Sequence, residues 1–591
     1  MPQVMPRLCV PCSFAWIRRA RCFRRERADK SRRREAMLLI VGWDGASPSL
    51  VERWLRAGRL PNLDRVWRTG HSGVVEPPWP PVTFPSWTTF MTGVNPGRHG
   101  IFDFTRRVPG TYRVQFVNAT NRKAPSVWSL LSASRKRVCV LGLPATYPPE
   151  PVNGVLLSGF DTPVTTRADA SFVYPRERAK EILEAGGFPF ADFQEFRVSQ
   201  RWYAVARERL LAGIEQKTRL AEKLLRKERW DCFLILFGES DTAAHHFWHF
   251  HDRLSPFYVG SNPFENVLAE VYEALDAALG RLCSTVPEAD LLVLSDHGFG
   301  GAGTTRVYLN RWLAEHGWLK FQRRNRRGSA FSAAAKSVAL AWVPARWQAR
   351  LFRWGGYRWA SALETSTRFA GVDFAASAAF SEELGYFPSI WLNVKGRDPE
   401  GIVDAQGYEQ LRAEIRTALL HWRHPQTGRA LVRRVWLREE LYAGPWVGEA
   451  PDILIQFDEE PPGYAIVASQ SNGEEGPAVR ELDLTQWRGG KMQGLSGTHR
   501  RLGIFAVAGP SVRGNGSRVF LKMEQLAPTI MEMCGLHPPE EVFDGESFAH
   551  VVRAQNAAEF LLPSREEDSR AYTEAEEREI TERLKNLGYF E

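Results

Sequence analysis

Seven cysteines in 591 residues are too few for a disulfide scaffold and point to a reducing compartment, the cytoplasm. No run of eighteen apolar residues occurs, which argues against a membrane-spanning helix. No internal repeat is present, so a solenoid or propeller is excluded. A charge surplus is also missing from most of the chain. The formal charge is +9, but residues 1–36 hold eleven Lys and Arg against Glu26, Asp29 and Glu35, and so carry +8 of it. The rest is nearly neutral, which argues against a body that holds nucleic acid or acidic lipid through bulk charge. What remains is an ordinary globular mix, 44% apolar and 25% charged, in a chain too long for one simple core.

The basic arm, 1–36, has an apolar patch at 8–17 before its arginines, the reverse of a secretory signal. It is expected to be a start-site artefact with translation beginning at Met37; the alternative is a basic tail for RNA, DNA or acidic lipid. Cys9-x-x-Cys12 has no second pair beside it and reads as unpaired thiols.

Beyond Met37, continuous apolar runs at Leu38–Trp43, Val138–Leu143, Cys232–Phe237, 291–294 and Gly503–Ala508 read as strands buried on both faces. Helical patterns at 49–57, 61–68 and 202–227 lie between them. The alternation predicts an α/β fold with a mostly parallel sheet flanked by helices on both faces. The expected division is a core over 37–305, an inserted cap over 306–489, a second core part over 490–555 and a charged helical tail over 556–591. Within the insert, Trp318, Trp342, Trp347, Trp354 and Trp359 among arginines read as an amphipathic helical cap, with a strand at 389–394 and a helix at 408–422. Leu584, Leu587 and Tyr589 form the expected docking stripe of the tail.

Three of the strands run into acids: Asp44, Asp241 and Asp296. Ligands of open α/β sheets bind at the carboxyl ends of strands, and three acids gathered there repel one another unless a cation sits among them. Asp241 and His245 are four apart and share a face if a helix starts there, and Asp296 is followed directly by His297. His499 stands in Ser-Gly-Thr-His, just before the run at Gly503–Ala508. Carboxylates mixed with imidazoles suit zinc, or manganese and iron in an oxygen-richer site. Thr83, in Pro-Pro-Val-Thr-Phe-Pro-Ser-Trp, reads equally as a helix cap or as a hydroxyl nucleophile at a helix N-terminus.

Together these motifs resemble the alkaline phosphatase superfamily, in particular its type I phosphodiesterase/nucleotide pyrophosphatase branch and a predicted phosphohydrolase or phosphomutase group within it. The resemblance rests on Val-Gly-Trp-Asp-Gly at 41–45, the Thr83 segment, Gly-Glu-Ser-Asp at 238–241 with His245, and Ser-Asp-His-Gly at 295–298. Gly-Thr-His-Arg at 497–500, Leu-Ala-Pro-Thr-Ile at 526–530 and Asp544-Gly545 complete it. It implies an alkaline phosphatase-like core and two divalent metals, zinc being expected and manganese the alternative. One metal is implied on Asp44, Asp296, His297 and the Thr83 oxygen, the other on Asp241, His245 and His499. It implies that Thr83 attacks phosphorus and is transiently phosphorylated, in a metal-dependent phosphodiesterase acting on a small phosphate ester. His99, His246, His249 and His251 receive no ligand role, His246 being the nearest register alternative to His245.

Three departures narrow that expectation. Thr83-x-Pro85-x-Trp87 cannot form the formylglycine of sulfatases. Asp103 and Phe104 stand where many nucleotide pyrophosphatases place an asparagine, and an acid there disfavours a nucleotide phosphate. No arginine is marked by motif as a phosphate grip; Arg106, Lys395 and Arg397 are the candidates. A phosphomutase or phospho-group transferase on the same residues is the alternative. A nucleic-acid or membrane-surface binding protein using the arm is the alternative of another class.

Overall fold

The structure is a computed structural model. It describes residues 37–163, 170–190, 199–322, 369, 371–383, 387–469, 476–485, 487, 495–539, 541–548, 572 and 574–587. The arm, Cys9, Cys12, Trp342, Trp347, Trp354, Trp359 and Tyr589 lie outside them.

A nine-stranded sheet organises the core. Its strands are β1 (Leu38–Trp43), β2 (His71–Glu76), β3 (Val138–Leu143), β4 (Gly154–Ser158), β5 (Val173–Tyr174), β6 (Cys232–Phe237), β7 (Asp290–Leu294), β8 (Gly503–Ala508) and β9 (Arg518–Lys522). The spatial order is β9-β2-β8-β7-β1-β6-β3-β4-β5. β1 lies at its middle, parallel to β6 on one side and β7 on the other. β8 runs antiparallel between β2 and β7, and β5 is antiparallel to β4.

The continuous apolarity of β1 has a direct cause. Leu39 and Val41 enter one hydrophobic cluster, with the helices Gln200–Lys227 and Val267–Thr285. Leu38 and Ile40 enter another on the opposite face, with the helix Leu526–Met533. Every residue of the strand is therefore buried. The expected five strands were all found. β2, β4, β5 and β9 had no comparable apolar run: β9 reads Arg-Val-Phe-Leu-Lys, and only Leu521 of it is buried.

The described part of the insert mixes strands and helices. A four-stranded sheet contains Ser389–Leu392, Val432–Leu437 and Ile453–Phe457, with the helix Ala405–Leu420 in contact with Val432–Leu437. The expected boundary at 305/306 falls inside the strand Gly298–Val307, which leaves the core and pairs with Tyr464–Ala468, Val479–Glu481 and Gly497–Arg500. Trp318 packs on Trp312 and His316. Of the tail stripe, Leu584 is buried on the helix Glu574–Leu587. Among the described residues no helix is long and apolar enough to cross a membrane.

Candidate metal and catalytic site

Parallel strands β1, β6 and β7 end at one edge, and each delivers an acid. Asp44 follows β1, with its N–H donated to the Phe237 carbonyl at the end of β6. β6 leads into the helix Glu239–His251, whose first turns carry Asp241 and His245. β7 leads through Ser295 to Asp296 and His297. Thr83 is the first residue of the helix Thr83–Thr92. His499 arrives by strand pairing: Gly497–Arg500 lies antiparallel to Gly298–Val307 and sets His499 opposite Phe299. All seven side chains expected from the sequence are buried, at most 2% exposed.

Their donor atoms form two adjoining clusters. In one, His297 Nε2 lies 3.5 Å from Thr83 Oγ1, 3.6 Å from Asp44 Oδ1 and 3.4 Å from Asp296 Oδ2. In the other, Asp241 Oδ1 lies 3.5 Å from His245 Nε2 and 3.3 Å from His499 Nε2, and the two nitrogens are 3.2 Å apart. A tetrahedral cation with donors at about 2.0–2.1 Å holds those donors about 3.4 Å from one another. Donor atoms of Asp44, Asp241 and His297 also lie within 4.8 Å of each other, so the clusters share a border.

The imidazoles are set for the same purpose. Nδ1 of His245, His297 and His499 faces the carbonyls of Gly497, Gly298 and Pro81 at 3.2, 3.0 and 3.4 Å. A carbonyl only accepts, so each Nδ1 carries the proton and each Nε2 turns a lone pair into the cluster. Burial lowers all three pKa values, helped by His499 in the case of His245 and His297, and takes His499 to about 3. The rings are therefore neutral. Burial, then the charge of Asp241, raises Asp44, and burial, then Asp44, raises Asp296. Among the described residues Asp44 Oδ1 and Asp296 Oδ2 accept no hydrogen bond. Buried acceptors without donors, beside neutral imidazoles, fit divalent cations.

Gly45 makes the close approach of these strand ends sterically allowed. Its φ is +62°, and a Cβ there would stand 2.9 Å from Asp241 Oδ1. Its N–H donates to Asp296 Oδ1 at 3.1 Å. Two further contacts had no signal in the sequence beyond composition. The Trp87 indole N–H donates to Asp44 Oδ2 at 2.9 Å, and Ser240 Oγ donates to the Asp44 carbonyl at 2.6 Å. Lys217 is buried against Glu239 at 2.8 Å and ties the helix Gln200–Lys227 to the turn carrying Asp241. Trp87→Phe keeps the packing and removes one donor to Asp44. It is expected to weaken metal retention and lower kcat by about 10–100-fold, read by metal analysis and initial rates.

The other histidines do not join the clusters. His246 packs edge-on against Trp202, and it is His245 that lies beside Asp241 and His499. His99 bonds Thr89 Oγ1 at 2.9 Å, His249 bonds Ser496 Oγ at 2.9 Å, and His251 lies 3.4 Å from the Glu265 carbonyl. Arg397 is committed to Asp452 at 2.8 Å, and Lys395 is exposed on the same turn. Arg106 lies opposite Gln115 in a two-stranded ribbon. Asp103 accepts the N–H of Phe104 at 2.7 Å.

The family model of the type I phosphodiesterase / nucleotide pyrophosphatases matches residues 38–491. The chain belongs to that family. It is a phosphoric ester hydrolase, and its buried Asp and His groups are able to hold metal. No curated protein matches the sequence. Among solved structures, the chain is similar to phosphonoacetate hydrolase from Sinorhizobium meliloti 1021 in complex with phosphonoformate: 16% identity over 85% of this chain and 96% of that one, TM-score 0.49. It is also similar to human ectonucleotide pyrophosphatase / phosphodiesterase 5: 13% identity over 88% and 100%, TM-score 0.44.

Proposed function

We propose that this phosphodiesterase-family enzyme cleaves a phosphoric diester, with Thr83 Oγ1 as nucleophile and two divalent cations at the site. Zinc is the expected metal and manganese the alternative. Asp44, Asp296, His297 and Thr83 would hold one cation, and Asp241, His245 and His499 the other. Bound there, the cations would favour the ionised form of a hydroxyl and neutralise charge on the phosphoryl oxygens. The observation that carries this reading is the pair of adjoining donor clusters, at ligand-like spacing, with Thr83 Oγ1 at the edge of one.

The residues of the chain do the positioning. Thr83 opens the helix Thr83–Thr92, so its hydroxyl lies at the positive end of the helix dipole, where developing negative charge is favoured. Its β-branching restricts the rotamer that aims Oγ1. Trp87 and Ser240 hold Asp44 from both its carboxylate and its carbonyl. Attack by Thr83 Oγ1 would break one ester bond and release that alcohol, leaving the phosphoryl group on Thr83 still esterified to the other. A water would then cleave the bond between Thr83 Oγ1 and phosphorus; an alcohol in place of that water would give the transferase outcome, or with a monoester the phosphomutase one.

Metal analysis of purified protein and a panel of mono- and diesters test the proposal. The expected result is two metals per chain and turnover of bis(4-nitrophenyl) phosphate ahead of 4-nitrophenyl phosphate in Zn²⁺ or Mn²⁺. One metal or none, together with no ester cleavage in either metal, would overturn it.

A further inference from the structure

Beside His499 the protein carries a cleft of about 340 Å³, walled by Trp79 and Phe387 and reaching the strand Val432–Leu437. Two consecutive residues of that strand, Arg433 and Arg434, line it. In a regular strand successive side chains point to opposite faces. Here the pairing with Ile453–Phe457 is broken: Val432 faces Phe457 and Arg434 faces Gln456, so Arg433 is an extra residue. Such a bulge re-aims side chains, and both arginines are exposed.

The charges of the cleft are not balanced. Arg501 pairs with Glu76 at 2.6 Å and Arg500 with Glu459 at 3.4 Å. Neither Arg433 nor Arg434 forms an ion pair or side-chain hydrogen bond among the described residues, and Asp458 is the one acid of the lining without an ion pair there. A surplus of positive charge thus faces an aromatic wall, next to a residue of the donor clusters. Adjacent guanidinium groups offer bidentate donors suited to phosphate or carboxylate.

We propose that this cleft is a second anion subsite: it takes a phosphate or carboxylate on the alcohol part of the substrate, beyond the scissile phosphorus. The assignment rests on the proposed catalytic site and adds a substrate class to it, an ester with at least two separated anionic groups. Trp79 and Phe387 contact the carbon skeleton between them.

Calorimetric titration of the zinc-loaded full chain tests this by binding rather than by rate, using fructose 6-phosphate and fructose 1,6-bisphosphate as probes. The bisphosphate is expected to bind at least about tenfold more tightly than the monophosphate, the gain from one extra charge-assisted contact. In Arg433→Ala/Arg434→Ala, whose changed side chains are exposed, that advantage is expected to fall to about threefold or less. Absence of the advantage in the wild type, its survival in the double variant, or no binding of either sugar phosphate overturns the subsite. Loss of ester cleavage in the substrate panel would overturn the catalytic reading instead, and the titration would still be read on its own terms.

Discussion

Thr83→Ala is expected to lower kcat on a diester by at least about 10⁴-fold, the scale of losing a nucleophile, while zinc content falls little. Three side chains of the first cluster, Asp44, Asp296 and His297, survive the change, and the second cluster is untouched. The packing cost is small, because alanine keeps the helical backbone at the first position of Thr83–Thr92. Quenched turnover of the wild type should in addition trap on Thr83 the phosphoryl group still esterified to the alcohol that has not left, detectable by mass spectrometry. A variant that retains a tenth of the wild-type kcat with no such adduct in the wild type would remove Thr83 from the chemistry and leave it a helix-opening residue.

Removing metal with a chelator is expected to abolish activity and to lower Tm by several degrees, both restored by Zn²⁺ or Mn²⁺. Asp44, Asp241 and Asp296 are buried together, and burial with mutual repulsion already pushes Asp44 and Asp296 upward. A cation that binds only the folded chain stabilises it by about 4 kcal/mol at a thousandfold excess over Kd. The same repulsion gives a signature of opposite sign. In chelator, Asp296→Asn should melt above the wild type, because one buried negative charge is gone. With metal present it should melt below, because a ligand is gone. Thermal melts of the two proteins in EDTA and in zinc decide the point; an unchanged order in both buffers would speak against metal at Asp296.

The legibility of this site differed residue by residue. Asp44, Asp241 and Asp296 stood out because apolar runs buried on both faces make strands readable, and an acid at the end of such a run is conspicuous. His245 followed from four-residue spacing, since Glu239–His251 is helical. His499 was marked by its motif alone; no periodicity links it to Asp241, from which it is separated by an insert and two sheets. Trp87 was read only as a departure from the sulfatase pattern, and its bond to Asp44 depends on how the helix Thr83–Thr92 lies against β1. The strand expected at 389–394 and the helix expected at 408–422 were both found, as Ser389–Leu392 and Ala405–Leu420, because each carries its own local periodicity, whereas the helical cap read from Trp342, Trp347, Trp354 and Trp359 falls outside the described residues.

The amino-acid sequence alone determined the central α/β sheet, the acids at its edge, the Thr83 segment and the family. Each is written in local patterns: unbroken apolarity, strand-end acids, short motifs. The tertiary structure alone decided which atoms meet. Strand Gly497–Arg500 brings His499 to Asp241 by pairing with Gly298–Val307, the three Nδ1 atoms find carbonyls that turn Nε2 inward, and a bulge puts Arg433 and Arg434 on one cleft. These are long-range registers and hydrogen-bond directions, set by the packing of segments far apart in the chain, and no local pattern encodes them.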